Sequence, residues 1–272
     1  MQGESLALGK EKDVHKVDIK KAGAAVKLRF AQIAFLLALI VLWEVGARVG
    51  KINTFLFASP SKICETLMGK IQTGELFTDI LVTGKETILG FIFGSLLGSF
   101  LGLLLWCSET IAKFSKPFVA AIGSIPVMVL SPLVIIWFGT GIASKIAIVT
   151  FSCIFVSLSS AYEGAMQVDC DLLNLMRSFG ATKFQIFCKI VVPSSMTWVV
   201  SGFKMNIGFA IVGAIVGEYI SSDAGIGHMI LMGSNSFHIH VTLAGLVTTM
   251  VFVFVLNIAV GFCEKLLLRW KR

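Results

Sequence analysis

Six long apolar runs, at about 28–49, 87–107, 117–138, 146–162, 194–220 and 241–263, alternate with polar stretches along the chain. The first is long enough to cross a ~30 Å hydrocarbon core as a helix. The pattern predicts an all-α fold, a polytopic membrane helical bundle of six transmembrane helices. Gly90, Gly94, Gly98 and Gly102 recur every four residues in the second run, a stripe that lets another helix approach closely. The third run holds Pro126 and Pro132. Proline is tolerated in membrane helices where neighbours satisfy the freed carbonyls, and such breaks often line a pathway. Both prolines are therefore candidate pathway residues.

The polar stretches carry their own signals. Residues 1–27 lack an apolar face and read as a flexible tail. They are too long and too mixed in charge for the start of a cleaved signal peptide. In 50–79, Ser59-Pro60-Ser61 starts a short helix expected to end near Gly74. The stretch 163–193 is the most structured polar island. Asp169 or Asp171 can cap a first helix, with Leu172, Leu173, Met176 and Phe179 on one face. Gly180 falls where a helix end wants a left-handed residue. Thr182 and Gln185 form a capping box for a second helix. That helix spaces Phe184, Phe187, Cys188 and Val191 helically, and Pro193 is expected to end or kink it. Two short amphipathic helices joined at a glycine look like a docking surface for another protein.

Composition agrees with a membrane protein. The 272 residues are 56% hydrophobic and 14% charged, with mean hydropathy +0.88, far below the ~25% charge of soluble domains. The formal charge of +7 does not point to nucleic acid, because Lys and Arg flank the apolar runs. With the N-terminus inside, the inner side holds sixteen Lys and Arg (seven up to Arg29, two between the second and third runs, three between the fourth and fifth, four after the sixth), against five on the outer side. That positive-inside bias places both termini and the 163–193 stretch in the cytoplasm. Six cysteines without a CxxC or framework spacing suggest neither a disulfide nor zinc.

Chemistry of the enzymatic kind is missing. The dipeptides Gly9-Lys10, Gly50-Lys51, Gly69-Lys70 and Gly84-Lys85 lack the upstream glycine of a phosphate-binding loop, and there is no GxSxG or HExxH. No cofactor is expected on this chain. His228, His238 and His240 cluster in the last outer loop, where the expectation is solvated or gate-lining histidines and no metal. Intramembrane charges are functional candidates by default. Lys85 and Glu86 are expected to neutralise each other. Lys204 lies one or two turns into the fifth run, either functional or extending to the interface, and Glu218 closes that run.

The 163–193 stretch resembles the EAA loop of ABC-importer permeases, through Glu163-Gly164-Ala165, Arg177-Ser178-Phe179-Gly180-Ala181-Thr182, Phe187, and Val192-Pro193 leading to Gly202-Phe203-Lys204. Trp43-Glu44, Ser59-Pro60-Ser61, Ile125-Pro126, Pro132-Leu133, Trp137-Phe138-Gly139-Thr140-Gly141 and Gly225-Ile226-Gly227 follow the nitrate/sulfonate/taurine branch in order. Lys204 stands where the family usually has arginine, Glu218 matches its outer-end glutamate, and Glu86 stands where arginine often opens the second span.

The resemblance implies a type I ABC-importer permease (MetI-like) core over 80–264, after a tail at 1–27 and a first transmembrane helix at 28–50. The coupling residues would be Glu163, Gly164, Ala165, Arg177, Phe179, Gly180, Ala181, Thr182, Phe184, Phe187 and Pro193. Pro126, Pro132, Lys204, Glu218 and His228 would belong to the pathway or gate. The implied partners are a second permease subunit, two cytoplasmic ABC ATPases carrying ATP and Mg, an extracytoplasmic binding protein and the lipid of a bacterial plasma membrane. The implied substrate is a small anion such as sulfonate, taurine or nitrate, with a pyrimidine precursor as the alternative. A stand-alone secondary transporter or channel would need midplane coupling charges or an inverted repeat, which the largely uncharged run centres do not show.

Overall fold

A computed structural model describes residues 30–267, the side chain of Leu267 excepted. The tail expected at 1–27 and the basic residues Arg269, Lys271 and Arg272 lie outside the described residues. The chain divides into two units at Cys64 and Glu65. In the first, α1 (Phe30–Arg48) is long and apolar enough to cross a membrane. After it come α2 (Thr54–Phe57) and the start of α3 (Pro60–Thr73). Glu44 accepts from Arg48 Nε at 2.7 Å and from the Ser61 N–H at 3.0 Å. It thereby ties α1 to the first turn of α3.

The second unit is all helix. Its elements are α4 (Glu75–Leu105), α5 (Glu109–Gly123), α6 (Val127–Phe138), α7 (Ile142–Met166), α8 (Cys170–Ser178), α9 (Lys183–Ile186), α10 (Val192–Ile220), α11 (Ile226–Asn235) and α12 (Ile239–Leu267). Among the described residues five helices are long and apolar enough to span a membrane, six if the bent pair α5–α6 is one span.

Three expectations are corrected. The run 117–138 is not one continuous helix: α5 and α6 meet at 92°, because Pro126 lacks an N–H and caps α6 in an extended conformation (φ −59°, ψ 128°). Pro193 does not end its helix. A π-turn at Phe187–Val191, in which the Val192 N–H donates to the Phe187 carbonyl, precedes it, and the rod runs on from Lys183 to Ile220. The helix of the second span starts at Glu75, ahead of the opening expected at Lys85 and Glu86. Asp79, Thr83 and Glu86 are buried on α4, and polar groups that find partners inside the bundle do not stop a helix.

The core is α4, α7 and α10. A Cβ on Gly90, Gly94, Gly98 or Gly102 would come within 3.0 Å of Val149, Thr150, Ile154 or Leu158 of α7, so the stripe packs backbone against backbone. Val149, Cys153, Ala210 and Ala214 form the adjoining apolar cluster. Asn206 of α10 donates to Ser157 Oγ (2.6 Å), Ser95 Oγ (2.9 Å) and the Cys153 carbonyl (3.1 Å). One amide thus pins all three helices where no water competes.

Candidate functional site

The helical rod from Lys183 to Ile220, about 57 Å long at 1.5 Å per residue, has a glycine turn at each end. At its start, α8 is capped by Asp169, whose carboxylate accepts from the Asp171 N–H at 2.8 Å. It closes in a Schellman turn: Gly180 (φ +74°) donates to the Arg177 carbonyl at 2.9 Å and Ala181 to the Met176 carbonyl at 3.0 Å. The Thr182–Gln185 capping box opens α9.

Below the turn an apolar knot holds the segment. Ala165, Val168, Ile186 and Val191 are buried, with Leu173, Met176, Ala181 and Phe187 packed on them. Phe187 was expected at a partner contact, but it stacks on Trp106 with ring centroids 6.1 Å apart. The apolar faces read from helical spacing therefore split. Leu173 and Met176 turn inward, whereas Phe179 and Phe184 remain 75% and 73% exposed on either side of Gly180. Around them, Glu163 and Arg177 are exposed, and Arg177 donates to Asn174 Oδ1 at 3.2 Å. A Cβ on Gly164 would come within 3.0 Å of Trp198 Cβ, so α7 needs glycine there to lie against α10.

At the other end of the rod the turn is enclosed. Gly225 (φ +121°) opens α11 without a side-chain cap of its own, leaving the first N–H groups of that helix to outside acceptors. Asp79 accepts from Gly225 (2.8 Å), Thr83 Oγ1 from Ile226 (2.8 Å) and Glu218 from Gly227 (2.5 Å). Thr83 Oγ1 in turn donates to Glu218 at 2.6 Å. Two carboxylates at a helix start also complement its dipole. Glu86 sits within electrostatic reach of Glu218 and of the buried Lys145, whose ammonium donates to the Thr140 carbonyl. Lys85 is exposed while Glu86 is 2% exposed. The expected neutralisation between them does not form, because adjacent helix positions do not face each other.

A cavity of about 490 Å³ lies beside the α5–α6 bend. Phe151, Ser152 and Phe155 of α7 and Phe209, Val212 and Val216 of α10 line it, with Ser124, Pro126 and Met128 of the bend. Of the residues expected on a pathway, only Pro126 lines this cavity. Pro132 is exposed inside α6. Lys204 is paired with Glu264 of α12 at 2.6 Å. Glu218 is fully buried in the clamp. His228 lines a different pocket of about 370 Å³ with Lys70, Glu75, Asp79 and Asp223. His238 and His240 stand with ring centroids 5.5 Å apart. Among the described residues no three His, Cys, Asp or Glu are grouped to hold a metal. The cavity's phenylalanines and serines belong to no motif, and only their helical spacing along α7 and α10 marks them.

Residues 90–271 match the family model described as "Binding-protein-dependent transport system inner membrane component". The chain is 32% identical over 197 residues (71% of this chain, 77% of the relative) to the formylaminopyrimidine transport permease protein ThiX of Halalkalibacterium halodurans. It is 26% identical over 233 residues (86% and 84%) to the putative aliphatic sulfonates transport permease protein SsuC of Bacillus subtilis. Among solved structures, an inward-facing MetNI methionine ABC transporter chain superposes with TM-score 0.63 at 18% identity, covering 71% of this chain and 95% of that one. That likeness bears on the fold alone.

Proposed function

The chain belongs to the family of binding-protein-dependent transport system inner membrane components, and from that premise we propose that it forms, as a pair, the substrate pathway of an ATP-driven importer whose ATPases dock at the Gly180 turn. The ATPase lies on partner subunits, so this chain couples and conducts but does not hydrolyse ATP.

One observation carries the reading. Two large aromatic side chains, Phe179 and Phe184, stand bare around a turn that is otherwise fully capped and anchored. Aromatic residues exposed on a rigid mount are what a partner cleft binds, and the buried knot beneath would carry a displacement of the turn into α7 and α10. Two such turns moved together by closing ATPases would shift the rods and alternate access across the membrane. The distribution of Lys and Arg supports a cytoplasmic position for this turn and for both termini. The apolar exposed faces of α5 and α6, with Phe114, Phe118, Met128, Val129 and Ile136, are suited to lipid and to a second copy of the chain.

The relatives supply two solute classes, an aliphatic sulfonate and a formylaminopyrimidine. These correspond to the small anion and the pyrimidine precursor expected from the sequence. Identity of 26–32% supports shared machinery and leaves the solute to the chemistry of the pathway.

Gly180→Val tests the reading. It adds a β-branched side chain to a left-handed residue with nothing within 4 Å, at a cost of about 1–2 kcal/mol, and the bundle should still insert and fold. Co-purified ATPase, or ATP-driven uptake into vesicles, should fall sharply. Normal recovery together with normal uptake would remove the turn from the coupling path.

A further inference from the structure

Between α9 and α10 lies the π-turn Phe187–Val191, where the Val192 N–H donates to the Phe187 carbonyl five residues back. An α-helical bond spans four residues, so this turn takes up one residue more than the helices on either side of it. The consequence falls on α9, because an α-helix rotates about 100° per residue. Phe184 stands seven residues before the buried Val191, and Ile186 five. In an unbroken α-helix Phe184 would lie within about 20° of Val191 and Ile186 about 140° away. That is the face expected from spacing, with Phe184, Phe187, Cys188 and Val191 together.

In the fold the two have changed places. Ile186 is 3% exposed and joins Val191, Ala165 and Val168 in the apolar knot, whereas Phe184 is 73% exposed. Cys188, a member of the expected face, is exposed as well. Setting α9 back by one residue accounts for the exchange: Ile186 comes to about 40° from Val191 and Phe184 to about 120°. Phe187, inside the turn, stays on the covered side against Trp106. Pro193 lowers the cost of the wide turn. It has no N–H for the Lys189 carbonyl, so an unbroken α-helix would lack that bond too.

We propose that the π-turn sets the rotation of the docking segment, turning Phe184 out to the ATPase and Ile186 in to the knot. This rests on the reading that the ATPase docks at the Gly180 turn. The functional quantity is the rotational phase between α9 and α10, not the wide ring itself. Deleting one residue of the turn leaves Phe184 six residues before Val191 in a plain α-helix, which gives the same angle of about 120°. Inserting one residue beside the existing π-turn brings Phe184 back to within about 20° of Val191 and sends Ile186 to about 140°.

Lys189 is exposed within the π-turn and is the place for both changes. Two full-length variants would be purified, one lacking Lys189 and one with an alanine inserted after it. In one set, Phe184→Cys or Ile186→Cys is the sole cysteine and is labelled with a water-soluble maleimide. A parallel set keeps the natural side chains and is used to measure ATPase affinity, with the unfolding midpoint recorded. In the deletion variant, Phe184→Cys should react as fast as in the natural register, and ATPase affinity should be unchanged. In the insertion variant, Ile186→Cys should become the reactive position, Phe184→Cys should be shielded, and ATPase affinity should fall about tenfold. A turn needed only for packing would suffer from both changes alike. A folded deletion variant that shields Phe184→Cys overturns the inference, as does a folded insertion variant that still labels there. Should the insertion prevent folding, the deletion variant decides alone. Exchanged labelling with full ATPase affinity in the insertion variant upholds the rotation and overturns the docking reading instead.

Discussion

Gly180 and Gly225 stand at opposite ends of the same helical rod, and both have left-handed backbones, φ +74° and +121°. Their surroundings are opposite. A Cβ built on Gly180 meets nothing within 4 Å, whereas one on Gly225 comes within 3.0 Å of the Glu218 carboxylate. The N–H groups of Gly225, Ile226 and Gly227 are taken by Asp79, Thr83 and Glu218, side chains from two other helices. The turn at Gly180 closes on its own backbone and leaves Phe179 and Phe184 bare. One turn is completed by other helices of the chain; the other is capped by its own backbone and stays open. Local conformation is the same in kind, and only the surroundings separate the enclosed clamp from the turn we propose as a docking point.

Substitution at the enclosed turn should have the largest effect. Gly225→Ala adds a methyl group where the Glu218 carboxylate sits and strains a φ that L-residues rarely adopt. We expect about 3 kcal/mol or more of destabilisation, as overpacking and backbone strain combine, read as a lowered unfolding midpoint in detergent. An unchanged midpoint would mean that α11 is not clamped. Thr83→Val comes next. It leaves the Ile226 N–H without its acceptor and removes the hydroxyl donor to Glu218 Oε1, for about 1–3 kcal/mol. Mild proteolysis within α11 should rise with the loss of midpoint. If Thr83→Val were as stable as wild type, the hydrogen bonds would not be what holds α11.

Gly180→Ala should cost only about 1 kcal/mol. There is no neighbour to displace, so the whole cost is backbone conformation. A loss as large as that of Gly225→Ala would erase the distinction between the two turns.

Sequence reading reached the open turn far better than the enclosed one, and the reason is range. Asp169, Gly180 and the Thr182–Gln185 box act on groups within four residues, so each could be read from spacing alone. The clamp joins Gly225 to Asp79 and Ile226 to Thr83 across |i−j| of 146 and 143, and no local pattern announces those pairs. Asp79 and Thr83 look like residues in front of a span until Gly225 and Ile226 come to them. The same limit explains Lys145, which reads as a residue of an outer loop but is 4% exposed in the first turn of α7. Helical spacing put Leu173, Met176 and Phe179 on one face, yet only tertiary packing decides that the first two are covered. Five long apolar runs became helices near their expected places. The run with Pro126 became a 92° bend, because hydropathy counts length and cannot see direction.

The most direct test of the central claim uses the side chains the fold does not need. Phe179→Ala with Phe184→Ala removes two rings that are 75% and 73% exposed, so stability should change by no more than about 0.5 kcal/mol. The measurement is recovery of the ATPase on the purified, tagged double variant, with its unfolding midpoint recorded alongside. The account predicts an unchanged midpoint and a fall in ATPase affinity of about tenfold or more, since two anchoring aromatic side chains are worth more than the 1.4 kcal/mol this requires. Full ATPase recovery at an unchanged midpoint would contradict it, showing that the partner does not grip the chain at the Gly180 turn.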